Sequence, residues 1–133
     1  MAGHTIKNLK RIEDSAVKFG LSPGLEARFA RDELATEQSA LSFQRLAPNF
    51  RQPFGHRHER QEEVYVVLAG SGRIKLDDEI LELEQWDSVR ISPATTRQVE
   101  AGPDGLEILV FGAPSLGENP RGDVEGRRGW WAE

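Results

Sequence analysis

The 133-residue sequence contains no cysteine, one methionine, one tyrosine and three histidines. Without cysteine there is no disulfide framework, no thiolate nucleophile and no zinc site built on sulfur, so any metal must rest on imidazole and carboxylate. Long hydrophobic runs are missing too. The longest, residues 64–69, falls far short of the ~20 apolar residues that a membrane-spanning helix needs. Nor is there an excess of positive charge: 17 Lys+Arg against 22 Asp+Glu leave a net charge of -5, which gives no field to draw a phosphate backbone. Neither a membrane nor a nucleic acid is an expected partner, which leaves small molecules and other proteins. At the start of the chain, His4, Lys7 and Lys10 interrupt the apolar residues, so no signal-peptide core forms and a cytoplasmic location is expected.

What is present suits one domain with one core: 38% of residues are apolar and 29% charged. Residues 8–20 carry Ile12, Ala16, Val17 and Phe19 at loosely helical spacing with Gly20 as a stop, which predicts a short helix. From Pro23-Gly24 onward the pattern changes to short apolar or alternating runs punctuated by Gly, Pro, Asp and Asn. Strands are expected at 25–30, 38–46, 62–69, 72–76, 79–83, 88–91, 97–101 and 106–111. After Gly24 only residues 31–36 have room for even one helical turn, so a parallel α/β sheet with helical crossovers is disfavoured against an all-β barrel or jelly roll. The expected organisation is an N-terminal segment (1–24), a barrel (25–113) and a tail (114–133). Trp130 and Trp131 have too much apolar area for a loose end, and are expected to latch the tail onto the barrel or a second subunit.

Two of the three histidines, His56 and His58, lie two residues apart. On a strand, residues i and i+2 share a face about 6.5–7 Å apart, so both imidazoles can converge on one ion while Arg57 faces away. The polar segment 59–62 supplies a turn, after which Glu63 opens a new strand and returns to the same face. Two imidazoles and a carboxylate suit Fe, Mn, Ni or Zn and leave coordination positions open. By alternation Tyr65 and Val67 share the face of Glu63, whereas Glu62 faces outward. Tyr65 is a candidate for orienting a substrate or donating a proton. Gln44 and Ser42 share one face of their strand, with Leu41, Phe43 and Arg45 on the other, and either set is a candidate for the pocket wall. Arg90 is expected on the surface, and Asp78 in a turn.

The run His56-x-His58, four residues, Glu63, six residues, Gly70 resembles the first conserved motif of the cupin superfamily, down to the apolar strand 64–68 and the Pro53 and Gly55 ahead of the pair. The resemblance is to the small single-domain cupins and covers roughly residues 25–113. It implies a cupin double-stranded β-helix, a conical jelly-roll barrel with a pocket at one end, often dimeric. Enzymes (oxygenases, isomerases, lyases), binding proteins and sensing modules all occur in that family, so the resemblance fixes no activity. The second motif of the family corresponds to the stretch 86–97. There Trp86 replaces a glycine, Thr95 replaces another, and Arg97 stands where the family places its last histidine ligand.

A guanidinium has no lone pair and cannot ligate a metal. Three arrangements are open at Arg97. It stands beside a metal held by His56, His58 and Glu63 and binds the anionic part of a substrate; it pairs with Glu63 in place of a metal, leaving a metal-free binding pocket; or it lies on the surface. The expected ligand set is therefore His56, His58 and Glu63 around a divalent transition metal, or no metal at all. Arg97 and Tyr65 are the expected catalytic groups, and Arg97, Tyr65, Gln44 and Val67 the expected contacts to a small anionic ligand. The expected functions are a metal-dependent cupin enzyme or a metal-free small-molecule binding or sensing cupin, in either case a homodimer, since small jelly rolls expose sheet edges and apolar faces.

Overall fold

The computed structural model describes residues 3–116 and 120–133; of the terminal segments expected above, positions 1–2 and 117–119 lie outside the described residues. The described residues form eight strands: β1 (Leu25–Phe29), β2 (Ala40–Leu46), β3 (Phe54–His58), β4 (Glu62–Leu76), β5 (Glu79–Leu83), β6 (Ser88–Ile91), β7 (Arg97–Ala113) and β8 (Val124–Arg128). All pairings are antiparallel.

The two longest strands organise the rest. The first half of β4 pairs with the second half of β7 (Glu62↔Ala113 to Gly70↔Leu106), and beyond two register shifts their other halves pair as well (Gly72↔Ala101 to Leu76↔Arg97). One sheet therefore runs β1, β2, end of β7, start of β4, β6, and the facing sheet runs β8, β3, start of β7, end of β4, β5. This is the expected all-β jelly-roll barrel. Its core consists of inward residues of both sheets, among them Leu25, Leu46, Tyr65, Val67, Ile74, Val99, Leu106 and Ile108.

Three details differ from the sequence expectation. The runs at 62–69 and 72–76 are one bent strand, as are those at 97–101 and 106–111. The bend falls at Gly70, which has φ 79 and whose Cβ, were there one, would stand 2.0 Å from the Gly105 carbonyl oxygen, so only glycine fits. In place of a helix over 8–20 there is a 3-10 turn (Leu9–Arg11) and a one-turn helix α1 (Ser15–Lys18), because Asn8 and Asp14 each cap a separate start. The stretch 31–36, which had room for one helical turn, holds it as α2 (Arg31–Leu34). Finally, the tail contains β8, which pairs with β3 from Phe54↔Arg128 to His58↔Val124. After β8, Trp130 sits over the β3 backbone at Gly55, where a Cβ would meet its ring at 2.6 Å, and Trp131 is buried with the guanidinium groups of Arg51 and Arg73 over its ring at 4.2 and 5.2 Å. Among the described residues no helix is long and apolar enough to cross a membrane.

Candidate metal centre

Each sheet delivers part of the site. His56 and His58 lie on β3 and Arg97 opens β7, in register with His56, whereas Glu63 lies on β4 in the opposite sheet, paired with Gly112 and Ile91. The strand alternation anticipated for Glu63, Tyr65 and Val67 holds: all three are buried, Glu62 is exposed, and Arg57 turns outward to meet Glu125 at 2.8 Å. One ligand atom from each of His56, His58 and Glu63 lies within 4.8 Å of the others. The two imidazoles stand nearly perpendicular, their ring centres 5.2 Å apart.

Contacts at the centre converge on Glu63 Oε1. His56 Nε2 is 3.5 Å away, His58 Nε2 3.4 Å, the Tyr65 hydroxyl 3.4 Å and Arg97 Nη1 3.0 Å. Burial pushes the Glu63 carboxyl up, but the close approach of the His56 and His58 rings outweighs it and holds the group at about 2, so it is a carboxylate at any neutral pH. Burial also keeps His56 below the ordinary imidazole value, against the pull of Glu63, which leaves its ring neutral with a lone pair to offer. The Tyr65 phenol is raised well above its usual range, first by burial and then by the Glu63 charge. It remains protonated and serves as a donor.

Arg97 is fully buried, which rules out the surface arrangement. Its Nη2 donates to the Ser92 carbonyl at 2.8 Å and its Nη1 to Glu63. His58 has a second partner: its Nδ1 is 3.0 Å from Asp123 Oδ2, in a 3-10 turn (Pro120–Asp123) just before β8. Its Nε2 is buried and has no hydrogen-bond partner.

Gln44 and Val67 lie deeper. The register Glu63↔Gly112↔Ala40, Tyr65↔Val110↔Ser42, Val67↔Ile108↔Gln44 defines successive layers, so Ser42 and Gln44 form the inward face of β2. Val67 and Gln44 stand four residues along from Glu63, about 13 Å at the rise of a strand, and Gln44 accepts a hydrogen bond from Gln52 at 3.0 Å. Ser42, one layer nearer, shares the level of Tyr65. Sequence reasoning missed Asp123 and Gln52, which carry no motif. The alternation within β2 was readable, but not which of its faces points inward.

The donor set fits a divalent cation. Two imidazoles, one carboxylate and an orphaned, buried ring nitrogen facing that carboxylate are what a three-residue metal site presents. The two carboxylates of Glu63 and Asp123 outnumber the one guanidinium of Arg97 at the site, which favours a cation.

A family model described as a cupin domain matches residues 42–111. The solved structure of a cupin protein from Bacteroides fragilis is 26% identical, covers 89% of this chain and 92% of its own, and superimposes with a TM-score of 0.71. Oxalate decarboxylase from Bacillus subtilis is similar in fold, at 24% identity and a TM-score of 0.65 over 77% of this chain and 28% of the decarboxylase chain. An uncharacterized protein of Methanocaldococcus jannaschii is 37% identical over 60 residues, 44% of this chain, which spans about half (48%) of the length of that curated relative. With more than half of its residues inside the matched segment, and with the barrel, the bent strand at Gly70 and the His-x-His…Glu cluster all in place, the chain belongs to the cupin family.

Proposed function

We propose that this cupin holds one divalent transition metal, Fe, Mn, Ni or Zn, on His56, His58 and Glu63, and is an enzyme of the oxygenase, isomerase or lyase type acting on a small anionic organic substrate. The observation that carries this reading is His58 Nε2, buried, unpartnered and 3.4 Å from the Glu63 carboxylate. A buried ring nitrogen left without a partner costs about 1–3 kcal/mol, and a metal shared with Glu63 and His56 removes that cost. When bound, the metal supplies Lewis-acid polarisation of a substrate oxygen. Arg97, tethered through Nη2 to the Ser92 carbonyl, is the fixed cation that takes the substrate's carboxylate or phosphate. Tyr65 donates from its protonated hydroxyl and orients the bound group, while Val67 and Gln44 close the floor. The substrate class rests on Arg97 and not on oxalate decarboxylase, to which the likeness is one of fold.

Association as a homodimer belongs to the same reading, in a cytoplasmic protein. The outward residues Leu41, Phe111 and Val64 are register neighbours across β2, β7 and β4, and Phe111 is 46% exposed, which suits burial against a second copy. A monomeric elution volume on a sizing column overturns that element.

The metal is tested by elemental analysis of untagged protein after exposure to each of the four ions and desalting. One equivalent retained by the wild type, and none by His56→Ala or His58→Ala, is the expected result. A second reading draws on the 3.0 Å contact between Arg97 and Glu63: the guanidinium takes the place of the metal and the barrel binds its ligand without one. In that case the wild type retains no ion and Arg97→His creates a metal site.

A further inference from the structure

The residue that sets up His58 comes from the far end of the chain. Asp123 sits in the turn before β8, and its carboxylate meets four groups: Oδ2 faces His58 Nδ1 at 3.0 Å and accepts from the Gln61 amide at 3.1 Å, and Oδ1 accepts from the Arg60 amide at 2.9 Å and lies 3.7 Å from the exposed Arg60 guanidinium. Its carbonyl also accepts from the Glu59 amide at 2.9 Å. Residues 59–61 are the turn between His58 and Glu63. One residue therefore grips both the ring of one proposed ligand and the loop that spaces it from the next.

We propose that Asp123 is the positioning residue of this metal centre, fixing the proton of His58 on Nδ1 so that Nε2 presents its lone pair to the ion. The proposal rests on the metal reading above. A carboxylate is acceptor-only, so the hydrogen between it and His58 belongs to the ring, and a neutral ring protonated on Nδ1 has its lone pair on Nε2. That nitrogen faces Glu63 at 3.4 Å and has no other partner. Carboxylates that hold a metal-ligating imidazole in this way typically contribute 10–100-fold in metal affinity. The geometry also gives the tail a purpose. Pairing of β8 with β3, from His58↔Val124 onward, and the seating of Trp130 and Trp131 beyond it bring Asp123 to the site from sixty-five residues away.

The test has two readouts. In metal-free wild type, ring nitrogen NMR of the three histidines is expected to show His58 as the Nδ1–H tautomer; an Nε2–H ring overturns the proposal without any variant. In Asp123→Asn an NH2 group at the Oδ2 position offers a hydrogen toward Nδ1 and gives up the bond from the Gln61 amide, while the remaining oxygen still accepts from the Arg60 amide. This variant is expected to shift His58 to Nε2–H and to bind Mn(II) and Zn(II) 10–100-fold more weakly by calorimetry, with its melting transition retained. Unchanged affinity in a folded Asp123→Asn overturns the proposal. A flat titration already in the wild type overturns the metal reading, and this one with it, and is told apart because the variant plays no part in it.

Discussion

Arg97 Nη1 lies 3.0 Å from Glu63 Oε1, a fully buried guanidinium against a carboxylate supplied by the opposite sheet. Breaking a buried pair by removing one member leaves an uncompensated charge and costs about 3–5 kcal/mol. Arg97→Met is therefore expected to destabilise the protein by that amount in urea unfolding, and Arg97→Met combined with Glu63→Gln to recover most of it. Additive losses in the double variant would show that the two groups are not coupled.

Glu26 offers a pH prediction away from the site. Its carboxylate is buried and meets Lys10, Arg28 and Arg45. Burial raises the group, but the three cations outweigh it and hold it at about 2 instead of 4.5. The folded value lies below the unfolded one, so the stabilisation is present above pH 4.5 and is lost as the pH falls toward 2. Glu26→Gln is expected to lose about 3 kcal/mol at pH 7. The gap between the wild-type and variant urea midpoints should close between pH 4.5 and 2; a gap that stays constant over that range contradicts the assignment.

Trp86 has φ 73 and is 70% exposed. A bulky residue in left-handed backbone is strained by about 1–2 kcal/mol, and here it recovers little by packing. Trp86→Gly, which relieves the strain at some entropic cost in the unfolded chain, is expected to raise stability by about 0.5–1 kcal/mol. Calorimetric melting decides it, and a lower Tm would mean that the indole contributes more than its exposure suggests.

Trp131 is 4% exposed and has the guanidinium groups of Arg51 and Arg73 over its ring, with Arg51 also donating to the Trp131 carbonyl at 2.9 Å. Trp131→Ala is expected to cost about 3–5 kcal/mol. Because β8 lies between this anchor and Asp123, limited proteolysis of the variant should cut first within the tail; a protease pattern identical to wild type would separate the anchor from the strand.

What could be read from the sequence followed the physical signal available at each position. Strands with one buried face, such as that carrying Glu63, Tyr65 and Val67, alternate, and their inward residues were legible one by one. The spacing of His56, His58 and Glu63 identified the cluster because a strand, a turn and a strand fix where three side chains point. β8 left no such trace: all five of its residues are exposed, so hydrophobicity does not alternate along it, and Asp123 beside it looks like any other charge in a polar tail. The continuity of β4 through Gly70 was equally hidden, because a glycine that ends a strand and a glycine that bends one read alike until the approach of the Gly105 carbonyl is known.

β4 and β7 each cross from one sheet into the other, and the two halves of the candidate site inherit that continuity. Glu63 is joined to the His-bearing sheet by unbroken backbone and its hydrogen-bonded ladder rather than by side-chain packing alone. Spreading the barrel mouth therefore means flexing a covalent hinge at the bend near Gly70, not sliding one layer over another. A ligand too large for the resting mouth would meet resistance from the bend itself, so discrimination by size would be written in two strands rather than in the residues it touches.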